Sequence, residues 1–216
     1  MKRKGILLVI SGFAGTGKGS LVSALTENYP NYALSVSATT RAPRPGEKEG
    51  VHYFFKSKEE FQKMIAAGEL IEYAQYVENY YGTPKAYVEQ QMEAGKDVIL
   101  EIEIQGALKI KEKFPEALLL FVVPPDADTL EERLRKRNTE SPEVIRKRLL
   151  RAVEESEYIS RYDYLIVNDD LMACMEETHA IIQSEHFCTF RNGEFIETLQ
   201  RDLKKFQLPA QQQAAK

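Results

Sequence analysis

The chain has 216 residues, 43% of them apolar and 29% charged, a balance that suits one soluble domain with a real core and lobes hung on it. A net charge of −4 argues against a nucleic-acid binder and points to small anionic ligands gripped by local clusters of positive charge. Only two cysteines occur, Cys174 and Cys188, in no metal-like spacing, and the apolar run after Lys2, Arg3 and Lys4 is too short for a signal peptide or a membrane span, so a cytoplasmic protein without a membrane partner is expected.

The first predicted element is a strand over residues 6–11. It runs into Gly12, Phe13, Ala14, Gly15, Thr16, Gly17, Lys18 and Gly19, and a helix is predicted over 18–28. This is G-x-x-x-x-G-K between a strand and a helix, the setting in which the motif binds phosphate. Its glycines let successive N–H groups turn inward around an anion, and the following helix adds its positive end. Lys18 supplies a point charge for terminal phosphates. One position departs from the usual pattern. Gly19 stands where a Ser or Thr normally offers a hydroxyl to Mg²⁺. Ser20 is one residue further round the helix, so the metal falls either to Ser20 or mainly to nucleotide phosphates and water. The Gly-Lys-Gly start is similar to that of adenylate kinases, which favours a small-molecule kinase over a switch GTPase.

Further strands are predicted over 33–37, 51–55, 70–76, 98–102, 118–123 and 164–167, and helices over 58–67, 84–93, 107–113, 128–137, 142–161 and 171–184. Ser57 with Glu60 reads as a capping box closed by Gly68, Thr83-Pro84 as an N-cap and first helical position, and Ser141-Pro142 as the same opening again. Repeated strand–helix units imply a parallel sheet wrapped by helices. Residues 37–81 break that rhythm with close-set strands and read as a separate small antiparallel lobe. The stretch 187–207 places Phe190, Phe195, Leu199, Leu203 and Phe206 at amphipathic helical spacing, and a frayed tail follows.

A second anion site lies in residues 35–47. Four hydroxyls precede Arg41 and Arg44, and Pro43 and Pro45 stiffen the backbone around Arg44. Arginine's planar fork grips a terminal phosphate bidentately. Downstream, Tyr53 and Tyr81 can stack on or bond a phosphate, and the carboxylate of Glu72 can accept the paired N–H donors on one edge of guanine. Glu101 and Glu103 alternate with Ile102, so they share one face near the end of a strand, where open α/β sheets bind ligands. Glu101 is the other candidate metal contact, through water.

Gly12 to Ser20, the 35–47 loop, Glu72, the run 79–83, Glu101-Ile102-Glu103-Ile104-Gln105-Gly106 and Ile166-Val167-Asn168-Asp169-Asp170 together resemble guanylate kinases in order and spacing, over roughly residues 5–184. The resemblance implies a five-stranded parallel core sheet wrapped by helices, with a small mixed-sheet GMP-binding lobe and a helical lid. The implied boundaries are 1–36 and 85–186 for the core, about 127–158 for the lid within it, 37–84 for the lobe and 187–216 for an extension. It implies ATP and GMP, with dGMP, as substrates and Mg²⁺ as cofactor. Arg41, Arg44, Tyr53 and Tyr81 would hold the GMP phosphate. Ser37, Glu72 and Thr83 would read guanine with help from Glu103, and Glu47 would support the acceptor loop. Arg133, Arg137 and Arg148 match family positions that close over the ATP phosphates, and Asn168 would fix the nucleotide side of that flap. Arg135, Arg146 and Arg151 read as ordinary solvated charges. Most family members carry Asp where this chain has Glu101 and Glu103, so each carboxylate reaches one methylene further. Two rivals stand beside this reading. Ribose-bisphosphate-forming kinases share the family look but are expected to lack Glu72 and Thr83. Scaffold modules that bind phosphopeptides in the same cleft typically lose phosphate-loop residues. A monomer or homodimer fits equally well.

Overall fold

The computed structural model describes residues 3–44, 46–76, 78–136 and 141–207. Arg137, Pro45 and the tail from 208 onward lie outside the described residues. The chain divides into two compact units after Glu176.

The first unit is organised around a five-stranded parallel sheet. Its strands are β1 (Leu7–Gly12), β2 (Tyr32–Leu34), β7 (Asp97–Glu101), β8 (Leu118–Val123) and β9 (Tyr164–Val167), and they stand in the order β2-β7-β1-β8-β9. The three central strands are almost wholly buried, as near-continuous Val, Ile and Leu runs require of strands covered on both faces. Alternation divides the load. Leu7 and Val9 join the main core with Val98, Leu100, Leu119 and Phe121, while Leu8, Ile10 and Ile99 point the other way. Helix α1 (Lys18–Asn28) contacts β1, β2 and β7, burying Leu21 and Leu25. The main core also takes Ala107, Leu108 and Ile110 from α4 (Ile104–Lys113), Leu130 and Leu134 from α5 (Ala127–Lys136) and Ile145 from α6 (Pro142–Ser156).

A second, four-stranded sheet contains β3 (Ala38–Thr39), β4 (Phe54–Phe55), β5 (Leu70–Tyr76) and β6 (Asn79–Pro84), in the order β4-β3-β6-β5. It is mixed. β3 runs parallel to β4 and antiparallel to β6, which pairs antiparallel with β5. Its small core is Ala38, Phe61 and Leu70, and Tyr80 stacks on Phe61 at 5.4 Å. Helix α2 (Lys58–Ala66) begins with the capping box in full: the Glu60 amide donates to Ser57 Oγ at 3.1 Å and the Ser57 amide donates to Glu60 Oε2 at 2.7 Å.

Several elements differ from expectation. The run 79–83, outside every predicted element, is part of strand β6. Gly82 is there for closeness, because a Cβ on it would stand 2.9 Å from the Glu72 carbonyl oxygen. Pro84 closes β6 opposite Leu70, so α3 (Lys85–Glu93) starts one residue later than the Thr-Pro pair suggests and has no side-chain cap. The strand expected over 33–37 ends at Leu34 as β2, residues 35–37 are irregular, and the next strand, β3, belongs to the other sheet. The helix expected over 142–161 ends at Ser156, followed by a 3-10 turn at Ile159–Arg161.

The second unit contains the end of α7 (Leu171–Glu185), a 3-10 turn at Thr189–Asn192, α8 (Gly193–Leu203) and a last 3-10 turn at Lys204–Gln207. The helix expected from the spacing of Phe195, Leu199 and Leu203 is therefore present, shorter than the apolar pattern itself.

Candidate active site

The G-x-x-x-x-G-K loop leaves the end of β1 and enters α1 at Gly17, whose φ of 85° is the left-handed conformation that favours glycine. A Cβ on Gly17 would lie 2.5 Å from Asn168 Nδ2, and that amide donates to the Thr16 carbonyl at 2.8 Å. A Cβ on Gly15 would lie 2.9 Å from Leu134 Cδ2, so α5 is seated on the loop. Thr16 is wholly buried and its hydroxyl donates to the Phe13 carbonyl at 3.0 Å. Lys18 Nζ donates to the carbonyls of Gly12 and Phe13 at 2.6 and 2.8 Å, which holds the ammonium over the loop. Arg133, on α5, donates to the carbonyl of Asn168 at 2.7 Å and that of Asp169 at 3.3 Å. The turn after β9 is thereby tied to both the loop and α5.

The second cluster hangs on β3 and β6. Thr40 and Tyr80 exchange bonds across the strands, with the Thr40 amide donating to the Tyr80 carbonyl at 3.0 Å and the Tyr80 amide to Thr40 Oγ1 at 2.9 Å. Arg41 follows directly. Its Nη2 donates to Glu47 Oε1 at 2.8 Å, and its guanidinium lies 5.4 Å from the centre of the Tyr53 ring, which in turn lies 6.2 Å from that of Tyr81. The other oxygen of Glu47 accepts from the Arg44 amide at 2.7 Å. One carboxylate thus braces the loop at both arginines. The Arg41 guanidinium and the Arg44 amide hold the Glu47 carboxyl down at about 2. Ser37 belongs to the same segment, its carbonyl accepting from the Phe54 amide at 2.9 Å.

Glu72 and Thr83 meet on adjacent strands, the Thr83 hydroxyl donating to Glu72 Oε1 at 2.9 Å. Both are buried, and burial pushes the Glu72 carboxyl up while Thr83, Lys109 and Lys113 pull it back. Gly106, in the first turn of α4, faces the same carboxylate: a Cβ on it would stand 3.6 Å from Glu72 Oε2, an ordinary contact distance.

The end of β7 runs between the two clusters. Glu101 is paired in register with Ile10, and its two carboxylate oxygens each lie 3.9 Å from where a Cβ on Gly19 would be. Two residues on, Glu103 precedes α4, and its carboxylate accepts from Arg151 of α6 at 2.6 Å. This differs from the expectation for Arg151. Arg151 is not a lone solvated charge, because it also pairs with Glu155 at 2.8 Å. Its distant partner, Glu103, left no trace in the sequence, where Arg151 and Glu155 look like an ordinary helical pair. Arg135 does behave as a solvated helical charge, bound to Glu131 one turn away. Arg148 is half-buried on α6, and Ser20 is exposed on α1.

Residues 4–185 match the family described as guanylate kinase. The chain is 53% identical over 181 residues to guanylate kinase from Desulfitobacterium hafniense, covering 84% of this chain and 90% of that protein. The chain belongs to the guanylate kinase family. Guanylate kinase from Halalkalibacterium halodurans is 52% identical over 185 residues, 86% of this chain and 91% of its own. The crystal structure of guanylate kinase from Anaplasma phagocytophilum superposes with a TM-score of 0.68 at 34% identity, covering 88% of this chain and 90% of that one. The segment beyond residue 185 lies outside the family match. Among the described residues no helix is long and apolar enough to cross a membrane.

Proposed function

We propose that the chain transfers the terminal phosphoryl group of ATP to GMP, and to dGMP, reversibly, forming the diphosphate and ADP. One observation carries this reading. The unit that bears the lysine-containing phosphate loop also holds the buried Glu72–Thr83 pair, with its carboxylate presented between β5 and the start of α4. An ionised carboxylate there accepts both the ring N–H and the amino group of guanine; adenine offers no such pair of donors. Residues 1–36 and 85–186 serve as the donor core, with a lid at about 127–158, and 37–84 as the acceptor lobe.

In this assignment the amides of Gly12, Phe13, Ala14, Gly15, Thr16, Gly17, Lys18, Gly19 and Ser20 cradle the ATP phosphates. Lys18 moves from its carbonyls to the transferring group. Ser37, Glu72 and Thr83 read guanine. Arg41, Arg44, Tyr53 and Tyr81 hold the acceptor phosphate, and Glu47 keeps the two arginines in place. The acceptor is already an anion, so no general base is needed and none of His52, His179 and His186 has a part. Transfer is in line and loose, with charge spreading over three oxygens. Arg133, Arg148 and Arg137 (the last outside the described residues) supply fixed positive charge there, an effect worth roughly 10³–10⁵ in rate in related chemistry. Carrying them on a lid keeps water from the phosphoryl group until both substrates are bound. Glu103, held by Arg151, links lid and acceptor site.

Among the described residues no group of three or more His, Cys, Asp and Glu forms a protein cage for a metal. Magnesium needs none, since it is bound through one or two carboxylates plus phosphates and water. Glu101 beside the loop, with Ser20 on the first turn of α1, fits that donor set. When bound, Mg²⁺ would neutralise charge on the donor phosphates. The two cysteines form no disulfide, in keeping with a reaction in the cytoplasm.

The test is a coupled ADP-release assay with ATP against GMP, dGMP, AMP, UMP and a ribose-phosphate acceptor. GMP and dGMP are expected to support turnover, with the others at background. Turnover on the ribose phosphate, or on no acceptor, overturns the assignment.

A further inference from the structure

Strand β1 loses its partner β7 just where the phosphate loop begins. The parallel ladder between them ends at Ile10 and Glu101, while β1 continues against β8 as far as Gly12. One long bond follows, from the Ile102 amide to the Ile10 carbonyl at 3.4 Å. The next rung would run from the Gly12 amide to the Ile102 carbonyl. The Ser11 hydroxyl donates to that carbonyl instead, at 2.8 Å, across 91 positions of sequence. Ser11 is wholly buried, in register with Phe121 on β8, and it faces the hydroxyl of Tyr162, beyond α6. Alanine would serve the packing equally well, and a buried hydroxyl is costly unless it is bonded. The peptide that Ser11 holds is the one leading into Glu103. Glu103 stands at the N-cap of α4 in extended conformation, and its side chain makes no capping bond. Its carboxylate goes to Arg151 on α6.

Resting on the phosphotransferase reading, we propose that Ser11 is a positioning residue, whose hydroxyl fixes the peptide between Ile102 and Glu103 and so ties the direction of the Glu103 carboxylate to the stem of the phosphate loop. Ser11 touches no substrate in this role; it acts through Glu103. The carbonyl of the next residue, Gly12, accepts from Lys18 Nζ at 2.6 Å. One serine therefore stands between the ammonium of the phosphate loop and the carboxylate that meets α6, with a short run of bonds joining the two. Without the hydroxyl the Ile102 carbonyl loses its donor. The peptide then turns to find another, and Glu103 swings with it. The inward N–H groups of the loop do not depend on this bond, so the donor side is spared.

The experiment combines initial-rate kinetics of the full chain, with GMP varied at saturating ATP, and calorimetric titration of ATP without GMP. Thermal melting of each variant is run alongside. Ser11→Ala is expected to lower kcat/KM for GMP roughly tenfold or more while Kd for ATP stays within about twofold, since a small misplacement of a site group is costly in catalysis. Tyr162→Phe removes the neighbouring hydroxyl but leaves the bond from Ser11 to Ile102, and should keep the wild-type GMP kinetics. Adding Ser11→Ala to Glu103→Gln should cost little beyond Glu103→Gln alone. Unchanged GMP kinetics in Ser11→Ala overturn the proposal. So does an ATP affinity that falls in step with kcat/KM for GMP, the mark of a serine needed only to fold the loop. A Tyr162→Phe variant as impaired as Ser11→Ala overturns it too, as do losses at Ser11 and Glu103 that simply multiply. If Ser11→Ala melts early, Ser11→Cys keeps the volume with a weaker donor, and the same contrast between GMP and ATP decides the matter. Wild-type transfer from ATP to GMP, measured in parallel, separates the two failures. Absent transfer sinks the phosphotransferase reading, whereas normal transfer with an indifferent Ser11 sinks only this assignment.

Discussion

The chemistry turns on a few side chains whose states are set by their neighbours. Glu72 is buried, which raises its carboxyl above the ordinary value, so it protonates at a higher pH than an exposed glutamate. Once protonated it can no longer accept two donors. GMP binding should therefore weaken on the acid side at a higher pH than an exposed glutamate would impose, and Glu72→Gln should abolish that limb and erode the preference for GMP over AMP by tenfold or more, roughly the worth of a lost buried bond to a charge. Profiles of kcat/KM against pH for both nucleotides test this, and an unchanged GMP/AMP ratio would refute it. Glu47 has the opposite shift, from 4.5 to about 2. A depressed acid contributes stability above its unfolded value, and here that contribution fades as the pH falls from about 4.5 through 2. Bracing by Glu47 should thus persist throughout the working range. Arg44→Ala should raise KM for GMP at least tenfold with little effect on ATP, a contrast visible in initial-rate kinetics. Most of these residues were legible in the sequence because each sits in a motif whose chemistry requires its type. Arg151 and the partner it takes in Glu103 were not, since helical spacing offers Arg151 a sufficient explanation in Glu155.

At the scale of elements, glycines decide where the site can form. Gly17 begins α1 in the left-handed region, with Asn168 Nδ2 filling the room a Cβ would need. Gly17→Ala should cost about 1–3 kcal/mol in backbone strain and displace the Asn168 bond to Thr16, lowering Tm and weakening ATP binding more than GMP binding. Calorimetry with each nucleotide would check both parts; equal loss for the two would contradict the assignment. The parallel strands were readable because doubly covered strands are continuous apolar runs. β6 was not. Its Gly82 and Pro84 look like turn punctuation, and only the close approach of β5 shows why a strand should contain them. The early end of β2 at Leu34 and the start of the second sheet at Ala38 were equally hidden, because pairing is decided by partners far along the chain.

Taken whole, the first unit joins the phosphate loop to α5 through one core. Leu134 is 2% exposed, belongs to the cluster that contains Phe13 and Phe121, and rests where Gly15 has no side chain. Leu134→Ala should destabilise the protein by about 2–5 kcal/mol, measured by urea unfolding, and should lower kcat more than it raises either KM because α5 loses its seat. A variant of wild-type stability would show that the seat is dispensable. How Arg133 is anchored has a consequence for the entire molecule. Guanidinium groups elsewhere in the unit, Arg41 and Arg151, are matched to carboxylates that cancel their charge. Arg133 is gripped instead by two neutral oxygens of the chain, those of Asn168 and Asp169. Peptide dipoles fix its direction without erasing its unit of charge. A protein that is acidic in total thereby keeps a spot of positive potential, softened by the Asp126 carboxylate nearby but not neutralised by a direct ion pair, aimed by geometry, which incoming polyanions feel before they touch anything and which dissolved salt should progressively mute.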